Sequence, residues 1–190
     1  MFRRMLLLTA LAAAACQTSA DRGATPDSTA AASDAAADGR SGSADLMNSA
    51  GAVVGSVQLE PVGRAIRVIA EVKGLSPGPH GIHFHAVGKC DGFGSFASAG
   101  DHYSPAPLDT RQHGLENPAG PHAGDLPNIV IGADSSGKLT TETDRLTLMP
   151  GGQSVFDADG TAIVIHAKED DQRTDPSGNS GDRMACGVVR

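Results

Sequence analysis

The chain has 190 residues, with 15 Lys and Arg against 22 Asp and Glu and a formal charge of −7 when histidine is neutral. That acidic balance argues against a nucleic-acid-binding role and against electrostatic adhesion to anionic membranes. With one tyrosine, five phenylalanines and no tryptophan, any core must be mainly aliphatic.

The first stretch is a targeting signal rather than part of a fold. A basic start, Met1 to Met5 (MFRRM), precedes the apolar run Leu6 to Ala15 (LLLTALAAAA). A bilayer-spanning helix needs ~20 apolar residues, so the run reads as the hydrophobic part of a secretory leader, residues 1–15. It ends at Ala-Ala-Ala-Cys16, which resembles the lipobox of bacterial lipoproteins, where cleavage leaves the cysteine N-terminal and diacylated. Ala13 stands where leucine is more usual. The bland alternative is plain secretion with an incidental cysteine. Gln17 to Asp45 is rich in Ala, Ser, Asp, Gly and Thr and nearly free of large apolar residues. It cannot bury enough surface to offset its ordering entropy, so residues 16–45 are expected to be a flexible tether behind a lipidated Cys16. Losing Arg3 and Arg4 with the leader leaves 13 basic against 22 acidic residues, a mature charge of −9.

Residues 46–190 then form one domain of ordinary size. Alternation of apolar and polar residues at period two marks strands over Ala52–Glu60, Ala65–Val72, Ile82–Ala86, Asn128–Ala133, Lys138–Thr143, Ala162–His166 and Met184–Val189. Turn chemistry such as Pro-Gly-Pro or Asp-Ser-Ser-Gly separates them, and no stretch of period 3.6 is long enough for a helix. The expectation is an all-β sandwich or barrel. Two connections exceed hairpin length: Gly88–Pro127, and Ala167–Arg183. Ordered loops of that length in a compact domain are usually functional. If Cys16 carries lipid, Cys90 and Cys186 are left as a pair, and in an exported chain they read as one disulfide.

Six of the seven histidines lie in or beside those loops. His83 and His85 stand two apart on a strand, so both rings share one face while Ile82 and Phe84 take the other. Alone, such a pair is a weak signal, since surface histidines on a polar face give the same pattern. His102, His113, His122 and Asp125 supply three nitrogens and one carboxylate, a closed tetrahedral shell suited to zinc and to ordering a loop. His166 ends an Ile/Val run; with His83 and His85 it makes a third nitrogen of a second metal site, and an all-imidazole set suits Cu(II).

These stretches together resemble the Cu,Zn superoxide dismutase family. The matching segments are Gly81-Ile-His-Phe-His85, Gly88-Lys-Cys90, Ser98-Ala-Gly-Asp-His-Tyr-Ser-Pro105, His113-Gly-Leu-Glu-Asn-Pro118, Gly120-Pro-His-Ala-Gly-Asp125, Ile163-Val-Ile-His166 and Gly178-Asn-Ser-Gly-Asp-Arg-Met-Ala-Cys-Gly187. The resemblance runs from about Gly51 to Val189. It implies a Greek-key β-barrel of about eight antiparallel strands with two long functional loops. It further implies copper held by His83, His85, His102 and His166, and zinc held by His102, His113, His122 and Asp125, with His102 shared. Asp170 would link a copper-ligand histidine to a zinc-ligand histidine, Cys90 and Cys186 would form the disulfide, and Arg183 would hold the superoxide anion. His80 would be structural.

The function so implied is disproportionation of superoxide to O₂ and H₂O₂ in the periplasm or cell envelope, on an exported and lipid-anchored chain. His102 would serve as a proton carrier. A homodimer is among the assemblies the resemblance allows. Pro176-Ser177 stand where better-known relatives carry a lysine, so the local positive field is expected to rest on Lys168, Arg173 and Arg183. The competing reading is a non-catalytic copper/zinc-binding envelope lipoprotein.

Overall fold

A computed structural model describes residues 40–92 and 95–190. The leader, most of the tether and Cys16 lie outside the described residues. Among the described residues nine strands follow in order: β1 Gly42–Asn48, β2 Val53–Val62, β3 Ala65–Lys73, β4 Gly78–His80, β5 Ile82–His85, β6 Ile129–Ile131, β7 Ser136–Thr143, β8 Ala162–His166 and β9 Arg183–Val188, with a 3₁₀ turn at Ala97–Ala99. All pairings are antiparallel, in the order β4-β6-β7-β3-β2-β1-β9-β8-β5. β4 and β5 terminate the two edges of this order and are joined through Gly81. The sheet therefore curls into a nearly closed barrel, as the Greek-key expectation required.

Two strands escaped the sequence reading. In β1 the inward residues are Gly42, Ala44 and Leu46, and a face of two small residues and one leucine gives almost no alternation signal. The strand begins four residues before the expected domain boundary at Leu46. β4 includes Pro79 of a Pro-Gly-Pro run, whose turn chemistry masks its extended backbone. Pro is tolerated because β4 pairs on one side only, with β6.

Inward rows stack across the ladder: Ala44 opposes Val57, Val57 opposes Ala70, and Ala70 opposes Leu139. Around them Leu46, Leu59, Ile66, Val68, Phe84, Ile163 and Ile165 complete the core. β5 and β8 are buried on both faces. Their inner residues Ile82, Phe84, Ile163 and Ile165 face the barrel. On the outside, Ala162 and Val164 pack with Phe96, Ala99 and Cys186, beneath the first long loop. The Cys90–Cys186 disulfide fastens that loop to β9. The expected pairing is therefore present, and the outer face of β5 and β8 becomes an interior in which histidines are sheltered from water.

Candidate metal centre

His83 and His85 project from the outer face of β5, and the first long loop is laid along that strand by backbone bonds. Phe84 N donates to Gly124 O (2.9 Å), and Tyr103 N donates to Phe84 O (2.8 Å). Bridges of His85 with His102 and of His83 with Asp125 complete the register. A side chain at Gly124 would collide with the Phe84 carbonyl, so the close approach requires glycine there. On the other side, a bulge between Ile165 and His166 sets His166 opposite Arg183. All of the expected ligand residues are thus gathered: His83, His85, His113 and Asp125 fully buried, His166 nearly so, and His102 and His122 partly exposed.

Hydrogen bonds fix which nitrogen of each ring is left over. His85 Nδ1–H donates to Gly100 O (2.8 Å), His166 Nδ1–H to Gly181 O (3.1 Å), and His83 Nε2–H to Asp170 Oδ2 (2.7 Å). Among the described residues eight buried side-chain polar atoms lack a hydrogen-bond partner, and five of them are imidazole nitrogens: His83 Nδ1, His85 Nε2, His102 Nε2, His122 Nδ1 and His166 Nε2. Buried polar atoms are rarely left unpaired, so five in one place mark a ligand set. Donor atoms of His83, His85, His102 and His166 lie within 4.8 Å of one another.

The second set centres on Asp125. Its Oδ2 is occupied by backbone N–H groups of Gly114 (2.8 Å) and His122 (2.9 Å), which aims Oδ1 inward. Oδ1 lies 2.9 Å from His102 Nδ1, 3.0 Å from His113 Nδ1 and 3.6 Å from His122 Nδ1, and His113 Nδ1 lies 3.2 Å from His102 Nδ1. Zinc–ligand bonds of ~2.0–2.1 Å place tetrahedral donors about 3.3 Å apart, so these separations bracket a zinc shell. His83 also comes within 4.8 Å of His102, His113 and Asp125. Its Nε2–H is already given to Asp170, however, and His122 Nδ1 is the unpartnered nitrogen beside Oδ1.

Asp170 joins the two sets. Its Oδ1 accepts from His113 Nε2 (2.9 Å) while Oδ2 accepts from His83 Nε2, and its own backbone is clamped by Asn128 in both directions (2.9 and 2.8 Å). Asn128 carried no site signal in the sequence, since it read only as a strand residue.

The electrostatics follow from burial. Burial, then the neighbouring His102, push His83 down to about 3. The same order of causes takes His85 well below its usual value, and burial takes His166 down to about 4. Burial likewise lowers His102, against the pull of Asp125. For His113, burial opposes the charged form, but Asp125 and Asp170 outweigh it and raise the ring to about 9. Burial favours the neutral acid in Asp125 and Asp170 too, and the imidazoles around each overcome it, holding both carboxyls well below the usual carboxylate range. The first set is therefore four neutral imidazoles, and the second pairs imidazoles with an anion.

Beside both sets lies a cleft of about 390 Å³ bounded by His102, His122 and His166 together with Arg111, Asp175 and Arg183. Arg183 donates from Nη1 to Phe96 O (2.8 Å) and from Nη2 to Gly100 O (2.7 Å). Larger grooves exist on the barrel, but they are lined by outward strand residues such as Val53, Val130 and Lys138 and hold no ligand set. Of the expected cations, Arg173 is paired with Glu116 (Nε to Oε2, 3.0 Å), and Lys168 lays its stem over Gly181. Neither lines the cleft. Arg111 does, and sequence reasoning missed it because it sits in a loop with no motif of its own.

Residues 53–189 match the family described as copper/zinc superoxide dismutase (SODC). A superoxide dismutase [Cu-Zn] of Deinococcus radiodurans is 41% identical over 161 residues, covering 77% of this chain and 82% of that protein. One from Aquifex aeolicus is 39% identical over 149 residues, covering 77% and 85%. Among solved structures, a SOD-like protein from Bacillus subtilis superposes with a TM-score of 0.71 at 34% identity, covering 77% of this chain and 96% of that one. With the ligand sets, the disulfide and the barrel in agreement with this likeness, the chain belongs to the copper/zinc superoxide dismutase family and is an oxidoreductase that uses copper and zinc.

Proposed function

We propose that the centre disproportionates superoxide, with copper held by His83 Nδ1, His85 Nε2, His102 Nε2 and His166 Nε2. Zinc is held by His102 Nδ1, His113 Nδ1, His122 Nδ1 and Asp125 Oδ1. The observation that carries this reading is the set of five unpartnered imidazole nitrogens, within which His102 offers one ring nitrogen to each group. When bound, copper supplies the one-electron chemistry by which one superoxide is oxidised to O₂ and a second, taking two protons, is reduced to H₂O₂.

The chain's own residues do the rest. Asp170 fixes the rings of His83 and His113 against rotation. Arg183, always charged, presents a guanidinium to the anion from a mount of two carbonyls. His102 Nε2 is the atom at which a proton can be held between the two half-reactions. Burial of β5 and β8 under the disulfide-bearing loop shelters His83 and His85 from water, while His102, His122 and His166 border the cleft. A guanidinium facing the cleft without an ion pair is suited to an anionic substrate, which weighs against a non-catalytic binding protein.

The same proposal places the protein outside the cytoplasm, in the periplasm or cell envelope, anchored through a diacylated Cys16 on a tether. The apolar leader, the Ala-Ala-Ala-Cys16 junction and the Cys90–Cys186 disulfide support it. Metal analysis with a superoxide-consumption assay tests the chemistry. Fully loaded protein should remove superoxide, and Arg183→Ala should keep both metals yet lose at least ~10-fold in rate. A loaded, inactive wild type would refute the enzyme reading. Mass spectrometry of the mature protein tests the anchor, and an unmodified N-terminus other than Cys16 would rule it out.

A further inference from the structure

The cleft beside the metal centre contains two guanidinium groups, and both are held in the same way. A carboxylate that steadies an arginine also cancels its charge, as Glu116 does for Arg173. Arg183 is steadied by the carbonyls of Phe96 and Gly100. Arg111 is steadied by the carbonyl of Gly120, to which its Nη1 donates at 2.7 Å. A carbonyl orients a guanidinium without neutralising it. Among the described residues neither arginine makes an ion pair.

The two acids of the cleft, Asp101 and Asp175, pair with neither arginine. Asp175 gives its Oδ1 to the backbone N–H of His113 (2.7 Å), which orients the carboxylate on the first long loop without cancelling its charge. Asp101 is exposed, and its charge favours the protonated form of Arg183 against the effect of burial. Elsewhere the surface is acidic, with 22 Asp and Glu against 15 Lys and Arg in the chain. A small anion approaching the protein is attracted to guanidinium groups that face an opening without a paired carboxylate.

Resting on the superoxide reading above, we propose that Arg111 is a second anion-guiding residue of this site: with Arg183 it makes a two-guanidinium mouth that draws small monoanions toward His102 and His166. Lys168 and Arg173, the cations that sequence reasoning assigned to this role, do not line the cleft. Arg111 comes from the first long loop, two positions before His113, so the loop that gathers the zinc-type ligands also carries the charge that recruits the substrate.

The test uses the full chain loaded with copper and zinc, comparing wild type with Arg111→Lys and Arg111→Glu. One readout is the superoxide removal rate as a function of ionic strength; the other is azide binding, followed by the Cu(II) electron paramagnetic resonance spectrum. Reversing this charge should lower the low-salt rate and the azide affinity about 3- to 10-fold and flatten the salt dependence, while lysine retains most of both. Rates and azide affinities of Arg111→Glu within twofold of wild type, at full metal content, would overturn the proposal. So would a deficit of Arg111→Glu that is fully cured by added zinc, because Arg111 would then serve only to tether Gly120. Azide affinity keeps this result separate from the enzyme reading, since it reports the anion path even if the loaded wild type removes no superoxide.

Discussion

Gly63 and Gly178 have the same backbone conformation, with φ of +58° and +62°, and very different surroundings. Gly63 has nothing within 4 Å of where a Cβ would stand; a methyl at Gly178 would overlap Asp170 Oδ1 and approach His113 Nε2 to 2.7 Å. Alanine at either position pays about 1 kcal/mol for the left-handed conformation, and Gly63→Ala should cost no more than that. Gly178→Ala must also push the Asp170 carboxylate aside, off the His113 ring that aims Nδ1 into the zinc-type set. Losing an oriented outer partner of this kind weakens metal binding about 10- to 100-fold, equivalent to about 1.4–2.8 kcal/mol. Zinc affinity should be measured by chelator competition for both variants, with unfolding in denaturant as the measure of the conformational cost. Gly178→Ala should lose zinc at chelator concentrations at which Gly63→Ala keeps it. Equal zinc affinities in the two would refute the role given to Asp170.

Other expectations follow from the same geometry. In metal-free protein, the low pKa values of His83, His85 and His166 mean that the unfolded chain binds more protons than the folded one below its own imidazole pKa of ~6.5. Their contribution is complete above that pH and is lost as pH falls, through about 4 for His166 and about 3 for His83, whereas that of His113 is complete below ~6.5 and lost as pH rises through about 9. Thermal unfolding across this range should show the melting temperature falling on both sides, and a flat profile from pH 6.5 to 4 would contradict the burial argument. Replacing Cys90 and Cys186 by serine opens a crosslink spanning 96 positions, which should cost about 4–5 kcal/mol in the chain-entropy picture. Denaturant titration should detect this, and an unchanged midpoint would count against it. Arg145 Nη2 donates to the backbone carbonyl of Asp125 (2.6 Å). Arg145→Met should weaken zinc about 5- to 10-fold while leaving copper affinity unchanged, consistent with one charge-assisted bond of ~1.5–3 kcal/mol partly replaced by water; equal zinc affinity would show the bond to be incidental.

The candidate ligands stood out in the sequence because metal chemistry restricts such residues to few types. His83 and His85 show their shared face through period-two alternation, and His113, His122 and Asp125 show theirs through spacing. The residues that position these ligands were less visible, since many side chains could in principle do that work. Asn128 clamps Asp170 from a strand edge, Gln172 accepts the Glu116 N–H while holding Leu126, and Gly114 is required because a side chain there would strike the Gln172 backbone. Each depends on a contact made to the second long loop across a wide stretch of sequence, 42 positions for Asn128 and Asp170 and 46 for Leu126 and Gln172. The charge reading failed for a related reason. Arg173 reads as a free cation in the sequence but is paired with Glu116, and Arg111, which carries no motif, lines the cleft once the loop folds over the centre.

One backbone atom, the carbonyl oxygen of Gly100, accepts from both His85 Nδ1 and Arg183 Nη2. His85, of the copper-type set, and Arg183, of the neighbouring cleft, thus share a single anchor, on the loop closed by the disulfide. Substitutions aimed at one will be felt by the other, and paired substitutions at His85 and Arg183 should show non-additive energies. For anyone altering this chain, substrate affinity and metal environment are not independent variables: adjusting the 95–100 segment shifts both together.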